Sequence, residues 1–229
     1  LSGNYLSRLA ALKNTGTASV PQFELVDTNY ASIGTLGLIN IFPTVGDLDG
    51  DGDQDLITGV RDGYLVYFDN IAGAGNPANF QLVQSNYQGI DVGLFAAPQL
   101  IDLDKDGKYD LVIGEQNGNL NYYRNTGTAS SPVFTYVTDS LGKVKTSTLT
   151  SFFGYSAPFF YSVNGDIRLL CGSDNGYLYY YDNIDGNLAG SFNLVTNALN
   201  SIYHGQRTAV SVADVNNDGV EDLVVGNYR

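Results

Sequence analysis

A unit of about 55 residues recurs along this chain, and a repeat of that length leaves few folds open. The acidic loop "DLDGDGDQDL" opens at Asp47. "DLDKDGKYDL" opens at Asp102, 55 residues later, and "DVNNDGVEDL" opens at Asp214, a further 112 residues on. Since 112 is twice 56, a degenerate copy is expected midway. "PFFYSVNGDIRLLCG", from Pro158, fills that place, two residues shorter than "PTVGDLDGDGDQDLITG" from Pro43. Each loop runs into an apolar segment closed by glycine, at 56–59, 111–114, 169–172 and 223–226. Asp62-Gly63, Asn117-Gly118 and Asn175-Gly176 follow, dipeptides suited to type I′ hairpin turns. Next come "YLVYFDN", "NLNYYRN" and "YLYYYDN", alternating with period two as strands do. "FELV", "FQLV", "FTYV" and "FNLV", from Phe23, Phe80, Phe134 and Phe192, supply a last strand.

A unit is therefore four short strands, A to D, with the acidic loop between A and B. No segment has helical periodicity, and 27 Gly, 17 Tyr and only 15% charged residues suit an all-β chain. Four-stranded units of this length predict a β-propeller of four-stranded antiparallel blades, four units in this chain. The expected unit bounds are 1–42 (partial), 43–97, 98–157, 158–209 and 210–229 (partial). "GNY" at 3–5 aligns with "GNY" at 226–228, so the chain starts and stops at the end of a strand B. It is either a closed four-bladed ring or an arc of a larger one. The arc is favoured, because the chain has no Met and its ends fall inside a repeat. Further blades of the parent chain, or another chain, would then cover the open edges, which are otherwise an aggregation liability.

The spacing D-x-D-x-D-G-x-x-D sets oxygen ligands at loop positions 1, 3 and 5, with Gly at 6 for a sharp turn. Position 7 offers its carbonyl and position 9 another carboxylate. Such a set suits Ca²⁺; nitrogen and sulfur ligands for zinc are absent, and Mg²⁺ resists so many direct protein ligands. An EF-hand is excluded, because Thr58, Ile113 and Val225 stand where its bidentate Glu belongs and β-type residues flank the loops. The three loops hold 13 of the 24 acidic residues.

"D-x-D-x-D-G-x-x-D-L-x-x-G" followed by "G-x-L-x-Y-Y-x-N-T-G-T" resembles the FG-GAP/VCBS repeat family of integrin α-subunit propellers and many secreted bacterial proteins. The "NTGTASxPxF" phrase at 14–23 and 125–134 is similar to copies in extracellular Bacteroidetes-type proteins. The resemblance implies three Ca²⁺ sites. The first would use Asp47, Asp49, Asp51, the carbonyl of Asp53, and Asp55. The second would use Asp102, Asp104, Asp106, the carbonyl of Lys108, and Asp110. The third would use Asp214, Asn216, Asp218, the carbonyl of Val220, and Asp222. In the unit at Pro158, Ser162, Asn164 and Asp166 depart from the pattern and no metal is assigned. That unit is expected to be a complete blade with a tight A–B turn.

The net charge of −13 argues against nucleic acid and anionic membrane as partners, and no run of 18 apolar residues encodes a membrane span. Cys171, in "LLCGS", reads as a buried core residue. His204 is alone, and no Gly-x-Ser-x-Gly or phosphate-binding glycine loop is present. The chain is therefore expected not to be an enzyme. It is expected to be a calcium-stabilised interaction module of a secreted or cell-surface protein, binding a glycan or protein ligand. The ligand face would carry the B–C turns and D–A connections: Arg61, Asp62, Gln116, Asn117, Asp174 and Asn175, with Tyr30, Tyr87, Phe95, Tyr155 and Tyr203. The alternatives are a propeller domain of a polysaccharide-degrading enzyme, catalytic or not, and a pure spacer.

Overall fold

The computed structural model describes residues 2–3, 8–203 and 205–227. The first sheet contains β1 (Ser2–Gly3), β2 (Leu9–Asn14) and β3 (Phe23–Asp27). Three complete sheets follow. They are β4 (Phe42–Gly46), β5 (Asp55–Gly59), β6 (Leu65–Asn70) and β7 (Phe80–Gln84); β8 (Ala97–Ile101), β9 (Asp110–Gly114), β10 (Leu120–Asn125) and β11 (Phe134–Thr138); and β12 (Ala157–Val163), β13 (Asp166–Gly172), β14 (Tyr179–Asp182) and β15 (Asn193–Thr196). The last sheet contains β16 (Ala209–Ala213) and β17 (Asp222–Gly226). In each complete sheet the strands pair antiparallel in chain order, A to D. The A strands β4, β8, β12 and β16 lie beside one another in succession, so the A edges share a common centre. This is the blade arrangement of a β-propeller. Pro43, Pro98 and Pro158 are tolerated in β4, β8 and β12 because an edge strand does not need every ladder donor. Among the described residues β17 pairs with β16 alone and β2 with β1 and β3, so no strand pairing joins the two end sheets.

The core lies between sheets, and period-two alternation fills it. Leu56, Val66 and Phe68 face the first sheet, meeting Leu9, Ile33 and Ile41. Their neighbours Ile57 and Leu65 point the other way, to Leu111, Ile113 and Phe134. Val112 and Leu120 in turn meet Phe160, Leu169 and the buried Cys171. Strands buried on both faces read as continuous apolar runs, as β5 and β9 do. In β17, "DLVVG" has the same composition but lacks a following sheet, and its residues are half-buried or exposed.

Blades are coupled through the D–A connections. Each D strand leads into a short 3-10 turn (Tyr30–Leu36, Tyr87–Gly89, Leu141–Lys143, Leu199–Ser201), which the sequence pattern did not disclose. The chain then crosses to the B–C turn of the blade it is leaving. The amides of Phe95 and Ala96 donate to the carbonyls of Arg61 and Val60. Tyr155 and Ser156 donate to Gln116 and Glu115, and Arg207 and Thr208 to Asp174 and Ser173. The close approach requires a bare Cα on strand B: a Cβ on Gly59, Gly114 or Gly172 would collide with the carbonyl oxygen of Ala96, Ser156 or Thr208.

The B–C turns correct the type I′ expectation. Only the glycines, Gly63, Gly118 and Gly176, have positive φ; Asp62, Asn117 and Asn175 do not. Gly63 N–H donates to Val60 at 3.1 Å, so Arg61-Asp62 are the central residues and the glycine follows them, as in a type I turn with a G1 bulge. A two-residue turn of the primed kind occurs instead at Asn164-Gly165, where both residues have positive φ (52° and 88°). It joins β12 to β13, in register from Ala157↔Gly172 to Val163↔Asp166. Lys105 ties this turn down: its Nζ donates to the Gly165 carbonyl at 2.9 Å and ion-pairs with Asp185, which accepts from Ile167 N–H at 2.7 Å.

Candidate cation loops and the opposite face

Strand A ends and strand B begins at Gly46↔Asp55, Ile101↔Asp110 and Ala213↔Asp222, so each acidic loop spans one end of a sheet. The three loops share most of their internal hydrogen bonds, the first differing in one donor to its opening aspartate. The first aspartate grips the turn: Asp47 accepts from Gly50 and Gly52, Asp102 from Asp106 and Gly107, and Asp214 from Asp218 and Gly219. Position 3 accepts from the amide of position 5, as Asp49, Asp104 and Asn216 do. Asp51, Asp106 and Asp218 accept from position 7. The position 9 carboxylate anchors the loop to the blade. Asp55 accepts from Leu48 and Asn70 (both 2.9 Å), Asp110 from Asn125 and the Tyr122 hydroxyl (both 2.8 Å), and Asp222 from Val215.

Carboxylate oxygens of Asp47, Asp49 and Asp55 lie within 4.8 Å of one another, as do those of Asp102, Asp104 and Asp106. Among the described residues no such trio forms in the third loop, where Asn216 replaces one acid. Asp53 turns its side chain away to the Gly73 amide (2.8 Å), leaving Oδ1 buried without a hydrogen-bond partner. Burial pushes Asp55 up to about 6 despite its two backbone donors, and the like charges of Asp49 and Asp69 add to the rise. The second loop brings its own cations. Lys108 lies 3.0 Å from Asp106 and holds that carboxyl below the usual range. Arg124 Nε is 2.6 Å from Asp104 Oδ2, an ion pair without a directed hydrogen bond. An all-oxygen donor set with clustered carboxylates fits a hard divalent cation. The loops could hold a metal ion, the first with the least internal compensation.

The opposite end carries the B–C turns and D–A connections. The expected aromatic residues divide there. Tyr87 is core, packed between Tyr67 and Phe134, and Tyr30 packs edge-on against Phe80. Tyr203 is exposed beside Tyr177. Phe95 and Tyr155 meet at 4.7 Å. Arg207, missed from sequence, stacks on both: its guanidinium carbon lies 4.0 Å from the Tyr155 ring centre and 5.2 Å from Phe95. Asp174 accepts from Arg207 Nε at 3.4 Å, and Gln116 donates to the Tyr155 hydroxyl at 3.0 Å. Arg61 pairs with its neighbour Asp62. The signal for Arg207 is its place two residues before strand A, equivalent to Phe95 and Tyr155. His204 lies outside the described residues.

No curated protein matches the chain. A solved structure similar to it is the catalytic domain of the Coprinopsis cinerea GH62 alpha-L-arabinofuranosidase, at 20% identity and a TM-score of 0.48, covering 76% of this chain and 56% of that one. That neighbour is a catalytic domain, which corrects the expectation that the chain is not an enzyme, although a likeness of this degree assigns it no activity. A propeller gathers groups from separate blades, as it does Phe95, Tyr155 and Arg207. Among the described residues no helix is long and apolar enough to cross a membrane. The family model for the FG-GAP repeat matches residues 207–229, so the final unit of this propeller is an FG-GAP repeat.

Proposed function

We propose that this chain is a calcium-stabilised recognition module of a secreted or cell-surface protein, binding a glycan or protein ligand on the face opposite its acidic loops. The observation that carries the reading is the separation of the two ends. Carboxylates that repel one another sit in hydrogen-bonded loops at one end. Aromatic, amide and guanidinium groups gather at the other. Ca²⁺ in the loops would be held by Asp47, Asp49, Asp51 and Asp55 with the Asp53 carbonyl; by Asp102, Asp104, Asp106 and Asp110 with the Lys108 carbonyl; and by Asp214, Asn216, Asp218 and Asp222 with the Val220 carbonyl. The ion clamps the A–B loop, and the loop fixes strands A and B, whose other ends position the ligand face.

Thermal melts of chelator-stripped protein with and without calcium, combined with a glycan array and a panel of surface proteins, test this. Binding of the folded state alone stabilises by about 2.7 kcal/mol per site at 100-fold excess over Kd. A higher melting temperature in calcium and calcium-dependent capture of a ligand are expected. Identical melts, or no ligand on either panel, would contradict the reading.

A further inference from the structure

A cavity of about 650 Å³ opens where the A strands converge. At its rim stand Asn40, Phe95, Tyr155 and Arg207, each two residues before strand A of its blade, and each with positive φ (52°, 60°, 43° and 54°). Large side chains rarely adopt this conformation, and glycine would relieve it. The chain has 27 glycines and uses none at these four positions. Asn tolerates this conformation, but Phe95, Tyr155 and Arg207 are strained by it, and strained side chains converging from three blades on one opening are a pattern of ligand sites.

We propose that this opening binds a uronic acid residue of an acidic glycan, its carboxylate on Arg207 and its ring beside Phe95 and Tyr155; the proposal rests on the recognition-module reading above. Arg207 is oriented by the two aromatic rings and by Asp174, whose other oxygen accepts from Ser151 at 3.0 Å. About a third of its side chain (33%) remains exposed. Among the described residues it is the charged residue of the cavity lining, and no carboxylate lines the opening. The acidic loops lie at the far end of the same A strands, so the net charge of −13 is concentrated away from this rim. Pro43, Pro98 and Pro158 give apolar walls suited to the C–H face of a sugar. They also remove backbone donors from the strands bordering the cavity, which disfavours an added peptide strand. Gln116 donates to the Tyr155 hydroxyl and so holds that ring in place at the rim. A second cavity, about 410 Å³ beside the Tyr30–Leu36 turn, has no charged group in its lining.

The test is calorimetric titration of the calcium-loaded full chain with tetragalacturonate and with the same oligomer after reduction of its carboxyl groups. Tetragalacturonate is expected to bind, and loss of a charge-assisted contact should weaken binding by roughly 10- to 100-fold for the reduced oligomer and for Arg207→Gln. Arg207→Lys, which keeps the charge but loses the planar fork, should fall between, with melting temperatures showing that both variants are folded. Equal binding of the reduced oligomer would overturn the carboxylate assignment while leaving a glycan module. Tetragalacturonate binding that is indifferent to both Arg207 variants would move the site elsewhere and overturn the proposal. Binding of neutral glycans or proteins without any uronate would also overturn it. Silence towards every glycan and protein tested would overturn the module reading as well.

Discussion

Substitution of the strand B glycines by alanine provides an internally controlled test of how the blades are joined. Gly59, Gly114 and Gly172 occupy equivalent positions, and none has left-handed backbone. Alanine is therefore conformationally acceptable, and by reducing the freedom of the unfolded chain it would stabilise by about 0.4–1 kcal/mol if nothing opposed it. At these three sites the added methyl meets the backbone carbonyls of Ala96, Ser156 and Thr208. Those carbonyls belong to connections already fixed by hydrogen bonds to the preceding B–C turn, such as Ser156 N–H to Glu115 at 3.1 Å. No side chain can rotate out of the way, so the next blade must shift. Overpacking of this kind costs about 1–3 kcal/mol, a large share of the 5–15 kcal/mol typical of a folded domain. Gly226 is the fourth copy, and among the described residues nothing lies within 4 Å of where its Cβ would be. Urea unfolding followed by tyrosine fluorescence (the chain has 17 Tyr and no Trp) should show Gly114→Ala destabilised and Gly226→Ala neutral or slightly stabilised. Equal effects at the two positions would refute blade coupling through this contact.

Three further outcomes follow from the loops and turns. Asp55→Asn should destabilise even the chelated protein, by about 1–3 kcal/mol, because both oxygens accept backbone donors and an amide nitrogen cannot replace the second; urea unfolding in EDTA checks this, and an unchanged midpoint would contradict it. Asp51→Ala should lose more calcium-dependent melting-temperature increase than Asp218→Ala, since the third loop has Asn216 in place of one acid; equal losses would count against the ranking. Burial raises the pKa of Glu115 above the usual range in spite of the Asn117 and Asn119 amides that it accepts from. Its folded-state pKa being the higher one, its contribution is fully present below the unfolded value and lost as pH rises through the folded one. Unfolding of wild type against Glu115→Gln across pH 4–7 should therefore show wild type losing ground as pH increases, and a flat difference would refute the assignment.

Much of the fold was legible because each blade repeats one hydrophobic alternation. Leu56 and Ile57, or Leu111 and Val112, point to opposite sheets, and only a stack of blades buries both. The short turn at Asn164-Gly165 was readable from the two missing residues. The B–C turn type was not, because Asp-Gly and Asn-Gly serve both I′ turns and G1 bulges, and the choice depends on the blade-to-blade bonds at Arg61, Gln116 and Asp174. The place of the acidic loops between strands A and B was legible from their spacing. The neutralisation of the second loop was not, since Arg124 reaches Asp104 from strand C. Arg207 escaped notice for a similar reason: only the packing of neighbouring blades brings it over Tyr155, 52 residues earlier in the chain.

A crystal structure grown in calcium tests the central claim most directly. The account predicts ions with oxygen ligands at about 2.3–2.6 Å in the loops opening at Asp47, Asp102 and Asp214, and none at the Asn164-Gly165 turn. Ordered loops free of any cation, with the carboxylates still in their present hydrogen bonds, would contradict it.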